Sequence, residues 1–266
     1  MKRLTCLLLS LLMVIMMAGC GSQSEPEAEK DQLARIQERG SIIIATEGNW
    51  APWTYHDSEG NLIGFDVELG RLLAAELGVK AQFEETIWDS IFSGIDSGLY
   101  DIACNGVGYT EDRAQNYSFS QPYVYTKKVL IVATDNDSIT KFEDLNGKKT
   151  ANTASSTYAE IARKYGAEVI PVDSLNQTID MLVRGEIDAT VNSQDSFNTY
   201  MQVNPDAKIK VAAFSAGEKV AIPMVKDSDS ATLLEAINRA IDTLRANGKL
   251  AELSIKYFGT DNTSEN

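Results

Sequence analysis

The sequence predicts an α/β protein in which short strands alternate with helices. Runs rich in β-branched residues recur along the chain, stretches with helical apolar spacing follow them, and glycines end several of these stretches. Alternation of this kind builds mainly parallel sheets with helices on their faces. The 266 residues are enough for two lobes of ordinary size.

The first predicted elements follow this alternation in order. A strand covers residues 42–45, and Asp66 is positioned to N-cap the helix that follows. That helix has apolar residues at helical spacing, namely Leu69, Leu72, Leu73 and Leu77. Gly78 ends it, and a second strand covers residues 79–83. A short helix follows Trp88.

A similar unit occurs in the second half of the chain. Ser174 and Gln177 have the spacing of a capping box at the start of a helix that runs up to Gly185. The segments 98–105 and 185–192 also share the spacing Gly-x-x-Asp-x-x-x-Asn. This echo predicts one copy in each half, with an asparagine at each strand end, where α/β sheets bind ligands. The alternative is a common turn from helix to strand that happens to occur twice.

The N-terminal residues have the features of an export signal. Two basic residues precede an apolar run over residues 7–18, which at about 1.5 Å per residue is too short for a hydrocarbon core of about 30 Å. Small residues then precede Cys20, as they do in bacterial lipoproteins. We expect residues 1–19 to be a lipoprotein signal peptide, Cys20 to carry lipid, and residues 20–32 to be a flexible tether. The alternative is an ordinary secretory signal with an incidental cysteine.

Charge and residue counts exclude several classes of protein. The formal charge is −14, and loss of residues 1–19 makes it −16, which opposes binding to nucleic acid or to anionic membranes. His56 is the one histidine, so a multi-histidine metal site is excluded and we expect neither a metal nor another cofactor. Cys104 is the one cysteine of the folded part, which therefore forms no internal disulfide.

Candidate ligand contacts follow a strand of the first half. Gly106 and Gly108 leave backbone NH groups open to a ligand, and Thr110 is positioned to N-cap the next helix. Arg113 then lies in the first turn, where a cation opposes the helix dipole. These features together predict a carboxylate site with bidentate contacts to Arg113. The alternative is a surface arginine paired with a neighbouring acid.

Aromatic and acidic residues lie near the ends of the first two strands. Trp50 and Trp88 are predicted to flank a ligand side chain, whereas Trp53 is predicted to lie in the core. Glu47 ends the first strand. It is positioned to accept hydrogen bonds from a ligand ammonium or guanidinium, unless it is a solvated loop acid.

Several motifs together resemble one family. They are ATEGNWAPWTYHDSEGNLIGFDVELGRLLAAELG, WDSIFSGIDSGLYDIACNGVGYTEDR, NYSFSQPY and KLAELSIKYFG. Nearly the whole mature chain resembles the family 3 extracytoplasmic solute-binding proteins of ABC importers for polar amino acids. The resemblance implies the type II periplasmic binding protein fold, with two lobes that each contain a mainly parallel sheet flanked by helices, joined by two hinge strands. It also implies a lobe 1 of residues 33–124 and 219–260, a lobe 2 of residues 125–218, and a tail of residues 261–266.

The resemblance further implies which residues contact the ligand. Arg113 would bind the α-carboxylate with help from backbone NH groups and from Thr157. The usual aspartate that accepts the α-ammonium is replaced by Ser193, so Gln194 or Asp195 is expected to serve instead. The full expected set is Glu47, Trp50, Trp88, Asn105, Gly106, Gly108, Thr110, Arg113, Thr157, Asn192, Gln194 and Asp195.

The function implied by the resemblance is binding without catalysis. The protein would bind a small polar amino acid with a donor-bearing side chain, such as arginine, lysine, histidine, glutamine or cystine, and deliver it to an ABC transporter permease by hinge closure. We expect an extracytoplasmic monomer that is held to the cell membrane by its N-terminal lipid only and has no nucleic-acid partner. Two alternatives stay open: a dehydratase-type enzyme on the same fold, using Glu47 and His56, and a ligand sensor for a separate membrane receptor.

Overall fold

The computed structural model describes residues 30–265 and alternates strands with helices along most of them. The predicted signal peptide, Cys20 and residues 20–29 of the tether lie outside the described residues. The helices are α1 (Gln32–Arg39), α2 (Phe65–Glu76), α3 (Trp88–Asp96), α4 (Glu111–Asn116), α5 (Thr157–Lys164), α6 (Leu175–Val183), α7 (Gln194–Val203), α8 (Ala231–Ala246) and α9 (Lys249–Phe258), with a 3-10 turn at Phe142–Leu145. The strands are β1 (Ser41–Thr46), β2 (Asn49–Trp50), β3 (Thr54–His56), β4 (Leu62–Ile63), β5 (Lys80–Glu85), β6 (Ile102–Ala103), β7 (Tyr117–Phe119), β8 (Val124–Ala133), β9 (Lys149–Asn152), β10 (Glu168–Pro171), β11 (Thr190–Ser193), β12 (Ile209–Val220) and β13 (Pro223–Val225).

The first sheet is parallel, in agreement with the prediction. Its strand order is β5-β1-β6. Ile42 and Ile44 of β1 are fully buried in a core that includes apolar residues of α2, α8 and α9. This N-terminal core joins residues from both ends of the described chain, because the last two helices pack onto elements of the first half.

The central part of the chain has its own sheets and cores. Strands β10 and β9 pair in parallel, whereas β11, β8 and β12 form an antiparallel sheet. Alternate residues of β8 enter different cores: Val129 and Ile131 enter one, and Leu130 and Val132 enter the other. Both faces of β8 are therefore covered. The sheet is antiparallel because the chain crosses it in β8 and returns in the opposite direction in β12.

Strands β8 and β12 also connect the N-terminal core with the central cores. Val124 and Val220 are paired at one end of the two strands and belong to the N-terminal core. Leu130, further along β8, belongs to a central core. The register between β8 and β12 shifts between Phe214 and Gly217, where the ribbon is irregular.

The predicted N-cap at Asp66 is wrong. Helix α2 begins at Phe65, and the N-cap position belongs to Gly64, where a Cβ would lie 2.2 Å from the Trp53 carbonyl oxygen. Asp66 is fully buried and accepts hydrogen bonds from the amide of Gly106 and from the Tyr123 hydroxyl. The Asp66 carboxylate is therefore hydrogen-bonded to donors from distant parts of the chain and does not cap the helix.

Two other predicted caps are confirmed. The Ser174 hydroxyl accepts from the Gln177 amide at 3.3 Å, and the Thr110 hydroxyl accepts from the Arg113 amide at 3.1 Å. A full capping box would also have a hydrogen bond from the Ser174 amide to the Gln177 side chain. Here the Gln177 side chain accepts from the Asp173 amide instead, one residue earlier in the chain. Within residues 30–265 no helix combines the length and apolarity needed to cross a membrane.

The repeated Gly-x-x-Asp spacing has the same role in both halves. Asp101 accepts a hydrogen bond from the Ile43 amide at 2.7 Å, and Asp188 accepts one from the Lys149 amide at 2.8 Å. The glycine that begins each copy has a left-handed φ, 71° in the first and 70° in the second. In each copy the glycine allows the chain to leave a helix, and the aspartate side chain hydrogen-bonds the turn to a neighbouring strand.

Candidate ligand-binding site

A cavity lies where strand ends meet helix starts. The empty space between its side chains is about 600 Å³, part of it open to solvent. Helices α3, α5 and α6 contribute residues of their first turns. The lining residues are Glu47, Asn49, Trp50, Trp88, Gly106, Gly108, Arg113, Asn152, Thr153, Ser156, Thr157, Tyr158, Asp173, Ser174, Leu175, Thr178 and Asn192.

The cavity brings together most of the predicted ligand contacts. Those that line it are Glu47, Trp50, Trp88, Gly106, Gly108, Arg113, Thr157 and Asn192. Asn105 lies behind the wall, where its side-chain amide donates to the Glu47 carboxylate at 2.7 Å and its oxygen accepts from the Glu47 amide at 2.8 Å. Thr110 caps α4. Both residues thus hold a lining residue in place without lining the cavity.

The structure does not bring Gln194 and Asp195 into this cavity. Both line a separate recess beside β8 and β12. Asp195 accepts from the Thr126 hydroxyl and from the Asn262 side-chain amide. Ser193 is fully buried, and its hydroxyl caps α7. The position of these residues follows from α7, whose first turn directs the Asp195 carboxylate toward β8.

Arg113 is held firmly at one end of the cavity. Its Nη1 donates to the Gly108 carbonyl and its Nη2 donates to the Ser155 carbonyl, both at 3.0 Å. The guanidinium carbon lies 5.3 Å from the ring centre of Trp88 and equally far from that of Phe92. Burial lowers the pKa of Arg113, but an arginine side chain stays charged in proteins. This end of the cavity therefore presents a fixed cation.

Glu47 gives another part of the cavity an acidic character. Burial raises the pKa of this carboxyl against hydrogen bonds from Asn105 and from the Trp88 backbone, and the negative charges of Asp89 and Asp173 add to the effect of burial, so the pKa is about 7. Glu47, Asp89 and Asp173 also line a small adjoining recess. Among the described residues that line this recess, none is basic. The recess therefore suits a cationic or hydrogen-bond-donating group.

Several contacts join the two sides of the cavity. The Trp50 indole NH donates to Asn192 at 3.4 Å, and the Ser155 hydroxyl donates to Asp89. Trp53 is fully buried, as predicted, and stacks on Trp50 with ring centres 5.6 Å apart. The two hydrogen bonds therefore connect residues of the first half of the chain with residues of the second half.

About half of the residues that line the cavity were not predicted from the sequence. The missed residues are Asn49, Asn152, Thr153, Ser156, Tyr158, Asp173, Ser174, Leu175 and Thr178. Asn152 ends β9, so the strand-end argument used for Asn105 would have found it. Asp173 has no local signal. Within residues 30–265, no group of three or more His, Cys, Asp or Glu residues is arranged to hold a metal ion.

Comparison with known proteins identifies the family. Residues 42–260 match the model of the bacterial extracellular solute-binding proteins, family 3. The chain is 34% identical over 229 residues to a probable amino-acid ABC transporter-binding protein of Haemophilus influenzae, covering 86% of this chain and 89% of that protein. It is 34% identical over 263 residues to the L-cystine-binding protein TcyA of Bacillus subtilis, covering 96% and 97%. The structure of an ancestral arginine-binding protein bound to arginine matches with a TM-score of 0.77 and 32% identity over 83% of this chain and 99% of that one. The chain therefore belongs to the bacterial extracellular solute-binding proteins of family 3 and has their two-lobed type II periplasmic binding protein fold.

Proposed function

We propose that this protein binds an amino acid with a cationic side chain and delivers it to an ABC transporter permease without changing it chemically. The observation that carries the proposal is the charge pattern of the cavity and the recess that adjoins it: Arg113 lines the cavity, and the three carboxylates of Glu47, Asp89 and Asp173 line the recess. Arg113 would bind the α-carboxylate through two parallel hydrogen bonds. Glu47 would accept hydrogen bonds from the side-chain guanidinium or ammonium.

The acidic recess favours arginine, lysine or ornithine over cystine. Cystine has a second carboxylate beside a second ammonium at its far end, whereas the side chains of arginine, lysine and ornithine end in a cation alone. The second carboxylate of cystine would enter a recess whose described lining contains Glu47, Asp89, Asp173 and no cation. Juxtaposed like charges disfavour binding by several kcal/mol. TcyA is named for cystine, so this chain is proposed to differ from that relative in its ligand.

Ligand release and capture would use the two strands that join the cores. We propose lobe 1 as residues 33–124 and 219–260 and lobe 2 as residues 125–218, with β8 and β12 as the hinge. Contacts such as Trp50 to Asn192 would form only when the lobes are closed, so a ligand that bridges the lobes would favour closure.

The proposal is tested by a thermal-shift screen of the twenty amino acids, ornithine and cystine. We expect arginine, lysine or ornithine to raise the melting temperature most, because a ligand that binds only the folded state stabilises it. A larger shift with cystine would overturn the proposed ligand class. A shift with none of these compounds would overturn amino-acid binding itself.

The binding of arginine should depend on pH through Glu47. In the free protein its pKa is about 7, and a bound cation favours the ionised carboxylate, so binding releases a proton. Affinity should therefore rise about tenfold from pH 6 to pH 8, as the ionised fraction of a group with this pKa does. Titration calorimetry at a series of pH values measures this, and Glu47→Gln should abolish the dependence. A flat profile in the unmodified protein would contradict the assignment.

We also propose that the protein does not catalyse a reaction. His56, the attractive proton carrier for a dehydratase, does not line the cavity; its ring contacts the Gly48 carbonyl at 2.9 Å and Glu85 at 3.2 Å. Incubation with the bound amino acid, followed by NMR, should show an unchanged ligand. Conversion of the ligand would support the enzyme instead.

The N-terminal segment is proposed to export the chain and to anchor it through a lipid on Cys20. Cys20→Ser should release the protein from the membrane fraction of the cells and abolish its labelling by a radioactive fatty acid. Cys104→Ser is the matched control, because this buried thiol lies in the N-terminal core, and it should leave both readouts unchanged. Unchanged labelling of the Cys20→Ser variant would contradict the anchor.

A further inference from the structure

A buried ion pair lies beside the Arg113 end of the cavity. The Lys128 ammonium is 2.7 Å from Oε1 of Glu218, and the two side chains are 14% and 4% exposed. Lys128 belongs to β8 and Glu218 to β12. Removing two charges from water has a desolvation cost that can exceed the energy of their attraction. A buried ion pair is therefore weak evidence for stability, and we ask what else this pair does.

Glu218 contacts residues that line the cavity. Its Oε1 accepts a hydrogen bond from the Thr157 hydroxyl at 2.9 Å. It also packs so closely on Gly108 that a Cβ on that glycine would lie 2.2 Å from Oε1. Its negative charge acts on Arg113. The Glu218 carboxylate therefore lies directly behind Thr157 and Gly108, next to the end of the cavity where the α-carboxylate of a ligand would bind, and it lines the recess beside β8 and β12.

An α-amino acid held there needs an acceptor for its ammonium, which is attached to the same carbon as the carboxylate. Ser193 is neutral and caps α7, and the Asp195 carboxylate is engaged by Thr126 and Asn262 outside the cavity. Glu160, the other acid whose charge acts on Arg113, is exposed. Asp66 is also buried, but its two oxygens are engaged by the Gly106 amide and the Tyr123 hydroxyl. Glu218 is the other buried carboxylate next to this end of the cavity, and a carboxylate can accept about four hydrogen bonds.

We propose that Glu218 accepts the α-ammonium of the ligand and that Lys128 holds the Glu218 carboxylate in place as its countercharge. The inference rests on the proposed function. Glu218 then makes the site selective for α-amino acids over simple carboxylic acids, because only the former carry the cation that Glu218 binds.

The test compares arginine with 5-guanidinopentanoate, which is arginine without its α-amino group. The unmodified protein should bind arginine about ten- to a hundred-fold more tightly, the factor expected for one charged hydrogen bond. Glu218→Gln should weaken arginine binding by about the same factor and leave binding of 5-guanidinopentanoate nearly unchanged. Titration calorimetry gives both affinities, and circular dichroism checks that each variant is folded.

Two further variants separate this role from others. Glu160→Gln removes the exposed acid near Arg113 and should leave both affinities unchanged. Glu218→Gln alone leaves the Lys128 ammonium without its countercharge, and the double variant Lys128→Met, Glu218→Gln removes that ammonium as well. If the double variant still binds arginine more weakly but 5-guanidinopentanoate normally, the loss is caused by the missing carboxylate.

Each other outcome overturns the inference. Equal losses for both ligands in Glu218→Gln would make Glu218 a structural residue. Equal affinity of the unmodified protein for arginine and 5-guanidinopentanoate would exclude an ammonium site, even where the variants do not fold. These results leave the proposed function intact, whereas failure of the unmodified protein to bind arginine would contradict both proposals.

Discussion

Replacing Arg113 by alanine is expected to weaken arginine binding by a factor of about a hundred to several thousand. A charged hydrogen bond contributes about 1.5–3 kcal/mol, so the loss of two such bonds corresponds to about 3–5 kcal/mol. The Arg113 guanidinium is already oriented by the Gly108 and Ser155 carbonyls and by the Trp88 and Phe92 rings. No other side chain of the cavity lining carries a positive charge among the described residues, so none can replace it.

Titration calorimetry with arginine measures this effect, and two variants serve as comparisons. Arg163→Ala is the matched control, because Arg163 donates to the Ala154 carbonyl from α5 but does not line the cavity. Its affinity should equal that of the unmodified protein. Arg113→Lys retains the charge but lacks the planar fork, so it should recover only part of the affinity. Affinity of Arg113→Ala near that of the unmodified protein would exclude the assigned role.

Replacing Trp53 by alanine is expected to lower the free energy of unfolding by about 3–5 kcal/mol, the usual cost of deleting a buried aromatic side chain. Trp53 is fully buried, and its ring centre lies 4.9 Å from that of Phe258 and 6.0 Å from that of Phe65. The contact with Phe258 joins the segment after β1 to α9. Loss of the indole therefore leaves a cavity where two distant parts of the chain meet.

Urea unfolding without ligand measures this change, since a bound ligand would add its own stabilisation. Phe214→Ala is the control: its side chain is 56% exposed, and a surface change of this kind alters stability by about 0.5 kcal/mol or less. A loss below about 1 kcal/mol in Trp53→Ala would mean that the surrounding core refills the space.

Local chemistry allowed several elements to be predicted correctly. Thr110 and Ser174 cap helices because a hydroxyl there reaches an amide three residues on, whatever the rest of the chain does. The turns at Gly98 and Gly185 follow from a left-handed φ that glycine adopts without strain. Arg113 was predicted as a ligand contact for a similar reason, because its position in the first turn of a helix depends only on the cap at Thr110.

Where the predictions for Asp66 and Asp195 differ from the structure, long-range contacts determine the position of the carboxylate. Asp66 has the spacing of an N-cap, yet its carboxylate binds the Gly106 amide and the Tyr123 hydroxyl, which no sequence window contains. Asp195 follows Asn192 closely, yet α7 turns it toward Thr126. In both cases a buried carboxylate needs donors, and the packed chain determines which donors are near.

Local sequence patterns were enough to predict the alternating elements, the caps at Thr110 and Ser174, and the cation Arg113 that lines the cavity. Which acids lie in or next to that cavity depends on contacts between distant parts of the folded chain. It placed Asp173 near Glu47 and Glu218 against Thr157, although each pair is far apart in the chain. The physical reason is range: capping and turn energies act within a few residues, whereas burial, charge pairing and pKa depend on neighbours that folding brings together.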